Sequence, residues 1–185
     1  MTKRTFLAAD LHVGHPGVCR FLKADGVTKL RPWDNTTDMD DALVEAWNDT
    51  VSPTDKVYVL GDVALNKKEL STIARLNGDK VLIKGNHDVY KLSDYMPYFR
   101  DVRGCHVLDG YILTHVPIHP DCLEGRWKGN IHGHLHDRRI MLDGEPDPRY
   151  LCVSMEQIDF RPILLEEALR LIGAPEREAS CQRYA

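Results

Sequence analysis

The residues best suited to chemistry fall in short polar clusters: Asp10-Leu11-His12, Gly61-Asp62, Gly85-Asn86-His87-Asp88, His115, and Gly133-His134-Leu135-His136. Imidazole and carboxylate side chains together suit manganese, iron, nickel or zinc, so these clusters read as candidate ligands for transition metals. Taken singly each is weak, because a lone Gly-Asp is usually a turn and a lone buried histidine is usually a hydrogen-bonded core residue. Their joint occurrence carries the argument. Asp10 and His12 alternate with Leu11, so on an extended segment they point the same way, and the same holds for His134 and His136. Of the nine histidines, His115, His119, His132, His134 and His136 lie in one short stretch.

Elements that could position these groups follow from hydrophobic periodicity. Thr5 to Ala9, Lys56 to Leu60 and Lys80 to Lys84 read as buried strands, each running into a polar cluster. A short helix is predicted over Gly17 to Leu22, then a loop over 23–36. A longer helix, capped by Thr36 or Thr37 and stopped by Pro53, carries Met39, Leu43, Ala46 and Trp47 at helical spacing. Another helix fits Lys67 to Leu76. Strands alternating with helices predict a parallel sheet, and in such a sheet ligands collect at the carboxyl ends of the strands, where distant clusters can converge. Farther on, Val102 to Leu108 and Tyr111 to Thr114 flank Asp109-Gly110, the preferred chemistry of a type I′ hairpin turn. Arg139 to Leu142 and Tyr150 to Val153 are expected to pair around Asp143 to Pro148, so the second half reads as more antiparallel. A last helix fits Leu165 to Ile172.

Composition removes several alternatives. With 185 residues, 43% of them hydrophobic and 28% charged, the chain has the composition of one globular domain rather than a disordered one. The unbroken apolar runs Phe6 to Ala9 and Val57 to Leu60 are far short of the roughly 20 residues a membrane helix needs, and no membrane partner is expected. The apolar stretch after Lys3 and Arg4 breaks at Asp10, too early for a secretory signal, so a cytoplasmic location is expected. A net charge of −4 argues against extended nucleic-acid binding. Cys19, Cys105, Cys122, Cys152 and Cys181 form no C-x-x-C pair and read as reduced thiols. A homo-oligomer is compatible with all of this.

In order, the clusters spell D-x-H, G-D, G-N-H-[DE], H and G-H-x-H, and on them the chain resembles the calcineurin-like metallophosphoesterases from Arg4 to His136. Arg31-Pro32-Trp33, Trp47-Asn48 and Val57 to Asp62 look further like a small phosphoesterase subgroup of bacteria and phages. The resemblance implies one domain over 1–185, an α/β fold built as a four-layer α/β/β/α sandwich of two mixed sheets with flanking helices. It implies one metal on Asp10, His12 and His136 and a second on Asn86, His115 and His134, with Asp62 bridging. His87 is then the candidate general acid for the leaving oxygen, or a donor to the developing phosphorane. Two divalent transition-metal ions, manganese first with iron, nickel or zinc as alternatives, would acidify a bridging water for attack at phosphorus. The function implied is hydrolysis of small phosphodiesters, cyclic nucleotides or nucleotide phosphates. A phosphomonoesterase, or a binding module without chemistry on the same fold, is the alternative.

Of two neighbouring readings, the first is disfavoured by missing residues and the second fails on residue order. Phosphoprotein phosphatases extend the second cluster to G-D-x-x-D-R-G, whereas this chain has Gly61-Asp62-Val63-Ala64-Leu65-Asn66. A metallo-β-lactamase-like site wants H-x-H-x-D-H, and His136 stands where the aspartate should be. His15 and Arg31 are expected substrate-phosphate contacts, set against plain exposed polar residues. Arg126-Trp127-Lys128 is a weaker candidate for stacking a base. Asp88 either orients His87 or sits at the surface, and the acidic run Asp34 to Asp41 reads as a solvated helix start.

Overall fold

The structure is a computed structural model describing residues 3–172, which leaves Cys181 outside the described residues. Five strands form the first sheet: β1 (Thr5–Ala8), β2 (Lys56–Val59), β3 (Asp79–Ile83), β4 (Asp101–Arg103) and β11 (Ile163–Leu164), in the order β11-β1-β2-β3-β4. Strands β1 to β4 pair in parallel and β11 antiparallel to β1. The second sheet contains β5 (His106–Leu108), β6 (Tyr111–Leu113), β7 (Gly129–His132) and β10 (Tyr150–Cys152), in the order β10-β7-β6-β5.

Strand periodicity splits the core in two. Leu7, Ala9, Tyr58, Leu60, Val81 and Ile83 point from the first sheet toward Tyr111, Leu113, Ile131 and Val153 of the second. Their alternates Phe6, Ala8, Val57, Val59 and Leu82 face Met39, Leu43 and Trp47 on helix α1 (Thr36–Thr50), with Leu70 and Ile73 beyond. A helix α2 (Leu92–Tyr95) adds Tyr95 to that side, and α3 (Leu165–Leu171) sends Leu165 and Ala168 into the core between the sheets. The chain is therefore an α/β sandwich of two mixed sheets with helices on its flank. Over the outer face of β7 lies the segment 115–128, helical only in a single turn at Pro120–Cys122 and tied down by Ile118 N donating to Asn130 Oδ1 at 3.0 Å.

The second sheet is less antiparallel than predicted. Only β5 and β6 form a hairpin, turning on Asp109 (φ 51°) and Gly110 (φ 87°), while β6–β7 and β7–β10 are parallel. Tyr150–Cys152 does not pair with 139–142. A tighter hairpin wins, because Asp143 and Gly144 take the same positive-φ turn and close β8 (Met141–Leu142) on β9 (Glu145–Pro146). The helix predicted at 17–22 is a single turn, in which Arg20 N and Phe21 N both donate to Gly17 O. The stretch Lys67–Arg75 is a 3₁₀-helix, and Asn35, not Thr36 or Thr37, caps α1 by accepting from Asp38 N at 2.9 Å. No helix among the described residues is long and apolar enough to cross a membrane. Among the described residues Cys19, Cys105, Cys122 and Cys152 are all free thiols.

Asp40 departs from the solvated reading of its acidic run. It is 9% exposed and both its oxygens accept from Gly14 N, at 3.1 and 2.9 Å. Burial pushes its carboxyl up to about 6. A raised carboxyl pKa contributes stability that is complete below about pH 4 and lost as pH rises through about 6. Asp40→Asn, which cannot ionise, is expected to gain on the native chain by about 1–2 kcal/mol between pH 4 and pH 8, allowing for water at the carboxylate edge. Urea melts of both chains at the two pH values check this, and parallel pH profiles would contradict it.

Candidate metal centre

Every polar cluster leaves the carboxyl end of a strand on the same rim. Asp10 and His12 follow β1, Asp62 follows β2, Asn86 and His87 follow β3, His115 follows β6, and His134 and His136 follow β7. Ligand atoms of Asp10, His12 and His136 lie within 4.8 Å of one another, and so do those of Asp62, His115 and His134. The two groups adjoin, since Asp62 Oδ2 is 3.2 Å from His115 Nε2 and 3.8 Å from His12 Nε2. Asn86 Oδ1 joins the second group, 2.9 Å from His115 Nε2.

The first loop is not the extended segment its alternation suggested. Asp10 (φ 58°), His12 (φ 49°), Asp62 (φ 54°), His134 (φ 69°) and His136 (φ 53°) all occupy the left-handed region, which costs a non-glycine residue about 1 kcal/mol or more. Strain on so many adjacent donors persists only because the loops brace one another. Asp10 N and His12 N donate to Gly61 O and Asp62 O, each at 3.0 Å, so the β1 loop runs along the β2 loop. Two glycines make room for the carboxylates. A Cβ on Gly85 would collide with Asp62 Oδ1, and one on Gly133 would stand 2.5 Å from Asp10 Oδ2.

Asp88 neither orients His87 nor sits at the surface. It is 1% exposed, and its carboxylate accepts from Asp62 N (2.8 Å), Val63 N (3.1 Å) and Gly85 N (2.8 Å), pinning the β2 and β3 loops together. Asp88→Asn turns one acceptor oxygen into a donor facing those N–H groups. It is expected to lower stability by about 2 kcal/mol. A thermal melt checks this, and an unchanged midpoint would show the clamp to be dispensable.

Charge and hydrogen bonding divide the donors into held and unanswered atoms. Asp10 Oδ2 accepts from Ser154 Oγ (2.6 Å) and His134 N (2.8 Å), while Asp10 Oδ1 and both nitrogens of His12 are buried with no hydrogen-bond partner among the described residues. Burial raises the Asp10 carboxyl against the pull of His115 and His136, and burial next to the Arg31 charge holds His12 neutral, well below the usual imidazole range. On Asp62 burial is outweighed by the hydrogen bond and charge of His115, which keep it below the ordinary carboxylate value. His115 Nδ1 donates to Leu60 O (2.8 Å) and His136 Nδ1 to Glu156 Oε1 (3.2 Å), which leaves each Nε2 for the rim. Orphaned carboxylate and imidazole atoms aimed at one another are what a cation would satisfy. These donor sets fit metal ions.

No family model matches the chain. An uncharacterized protein of Methanocaldococcus jannaschii is 29% identical over 183 residues, 92% of each chain. The Gene 66 protein of Mycobacterium phage D29 is 28% identical over 186 residues, 82% of this chain and 87% of its own. That of phage L5 is 32% identical over 89 residues, 45% and 39%. Among solved structures, a protein of unknown function from Aquifex aeolicus superposes with a TM-score of 0.66 at 21% identity, over 92% of this chain and 100% of its own, which shows the fold. An archaeal phosphodiesterase matches at a TM-score of 0.43 and 16% identity over 82% of each chain, too weak a likeness to carry an argument.

Other sequence candidates lie elsewhere. Arg31 is fully buried, and its guanidinium donates to Leu11 O (2.8 Å), Asp10 O and Glu156 Oε1 (2.7 Å), which leaves it no reach to a substrate. Its place is behind the ligands. Lys128 N donates to Gly110 O at 2.8 Å, so Arg126-Trp127-Lys128 sits by the turn that opens β6, at the opposite end from His115. His15 is half-buried with its ring 5.5 Å from that of His12, and His87 is exposed with Nε2 3.9 Å from Asp62 Oδ2. Sequence reasoning missed Ser154 and Glu156. The signal was there: Tyr150 to Val153 is one more apolar run ending in a polar tip, and Ala9 bridges Ser154 in parallel.

Proposed function

We propose that the chain is a binuclear metal-dependent phosphoesterase of the calcineurin-like kind, acting on small phosphodiesters, cyclic nucleotides or nucleotide phosphates. The observation that carries this reading is Asp62, whose Oδ2 faces a histidine of each three-residue donor group, at 3.2 and 3.8 Å. Asp10, His12 and His136 would hold one ion, and His115, His134 and Asn86 the other, with Asp62 shared. Two such ions, with manganese the first choice, would activate water and neutralise charge at phosphorus.

The chain's own residues supply the rest. Asp62 Oδ1 accepts from His87 N at 2.9 Å, which fixes the His87 backbone against the donor groups while its ring stays open to solvent. From there the imidazole can give a proton to a leaving oxygen. His15 Nδ1 accepts from Gly17 N at 2.9 Å, which orients the ring beside His12 for contact with a phosphate oxygen.

His87→Ala is expected to keep the metal content and lose about 100-fold or more in kcat on alkyl or nucleoside phosphodiesters. The loss should be much smaller on nitrophenyl esters, whose leaving group needs little proton donation. Equal losses on both would replace general-acid catalysis with electrostatic stabilisation. The reading as a whole is tested by assaying the manganese-loaded chain on bis-nitrophenyl phosphate, cyclic nucleotides, a nucleoside monophosphate and a phosphoserine peptide. Hydrolysis of the diesters or nucleotides supports it; a clear preference for the peptide would overturn the substrate assignment.

A further inference from the structure

We infer that the chain has a second binding site, for a small organic anion with an apolar body and one N–H or O–H donor, in the cavity where the edges of the two sheets meet. The cavity measures about 340 Å³, at the small end of the range for small-molecule sites. Strand β10 is the edge of the second sheet and β11 of the first, and Leu151 and Ile163 bring both to the cavity wall. Ile140, Pro146 and Ile158 complete an apolar lining. None of the candidate metal ligands borders it.

Two polar side chains on the cavity wall have hydrogen-bonding capacity to spare among the described residues. His132 is 1% exposed and lines the wall, and its Nδ1 donates to Gly133 O at 2.7 Å. A carbonyl oxygen can only accept, so in the neutral ring Nε2 is an acceptor, and it has no partner among the described residues. A ligand N–H or O–H entering the cavity that His132 lines would bond this acceptor. Arg139, an exposed residue, also lines the cavity, and among the described residues its guanidinium reaches only Gln157 Oε1, with Nε at 3.4 Å and Nη2 at 3.5 Å. Most of its donors are free for a carboxylate or phosphate. Asp147, the one carboxylate on the wall among the described residues, does not oppose such an anion, because Arg149 pairs with it at 2.7 Å.

Indole-3-acetate carries all three features, a carboxylate, an apolar ring and an N–H, and serves as the probe. Titrated into the ¹⁵N-labelled full chain, it is expected to give saturable amide shifts centred on His132, Arg139 and Leu151. Arg139→Gln should weaken binding at least tenfold, and Ile140→Trp, which fills the cavity from its wall, should abolish it. The same spectra report whether each variant is folded. Absence of saturable shifts at millimolar probe, or equal affinity in the native chain and Arg139→Gln, would overturn the site. The inference rests on the cavity alone, so it stands or falls separately from the phosphoesterase reading.

Discussion

Replacing Asp62 by alanine is expected to cost more than about 100-fold in kcat/KM on a nitrophenyl phosphodiester and to drop the metal content below two ions per chain. The carboxylate lies between the two donor sets, with Oδ2 3.2 Å from His115 Nε2 and 3.8 Å from His12 Nε2. Without it, two cations would face each other with less negative charge between them. Changes to residues that merely orient ligands cost about 10- to 100-fold, so a loss beyond that range marks direct participation. Asp62→Asn keeps the volume and an acceptor for His87 N, and it separates chemistry from folding. It is expected to melt near the native midpoint and still be inactive. Activity of Asp62→Ala within tenfold of the native chain would remove Asp62 from the bridging position.

Glu156→Ala should produce the largest loss of stability. Glu156 and Arg31 form a buried pair, with side chains 2% and 0% exposed and Nε to Oε1 at 2.7 Å. Burial pushes the Glu156 carboxyl up, but the His136 hydrogen bond and the Arg31 charge override it and bring the value to about 2. Removing the carboxylate strands a guanidinium in the core, which costs about 3–5 kcal/mol and about 10 °C in melting temperature for a chain of this size. Arg31→Met should cost a similar amount. The double variant should cost clearly less than the sum, because each single change already breaks the pair. A depressed carboxyl pKa contributes stability that is full above about 4.5 and lost as pH falls toward about 2. The native chain should therefore lose stability in that window more steeply than Glu156→Gln. Additive melting shifts, or parallel acid profiles, would contradict the pairing.

The sequence made the donor set legible because strand ends announce themselves. Asp10, His12, Asp62 and His115 each follow an apolar run, and parallel strands bring such ends to one rim whatever their separation in the chain. What braces the donors was hidden. Arg31 comes from a loop without period, Glu156 from a 3₁₀ turn at Met155–Gln157, and Asp40 from an acidic run that masked its place on the buried stripe of α1 with Leu43, Val44 and Trp47. Their roles depend on contacts between distant segments, such as Arg31 to Glu156 and Asp40 to Gly14. The second sheet was misjudged for a related reason. Asp109-Gly110 identified its hairpin, but Asp143-Gly144 carries the same turn signal and closes β8 on β9, leaving Tyr150–Cys152 to join β7 across a long connection. Left-handed backbone at His12 and His136 leaves no mark in hydrophobic patterning, because those residue types give no such warning as glycine does.

The most direct measurement is anomalous diffraction from crystals of the manganese-loaded chain. Two peaks are expected, about 3.5–4 Å apart, as in binuclear phosphoryl-transfer sites. One should lie among Asp10, His12 and His136, the other among His115, His134 and Asn86, with Asp62 reaching both. A single peak, or a pair whose ligands lie outside these residues, would contradict the binuclear centre on which the proposed chemistry depends.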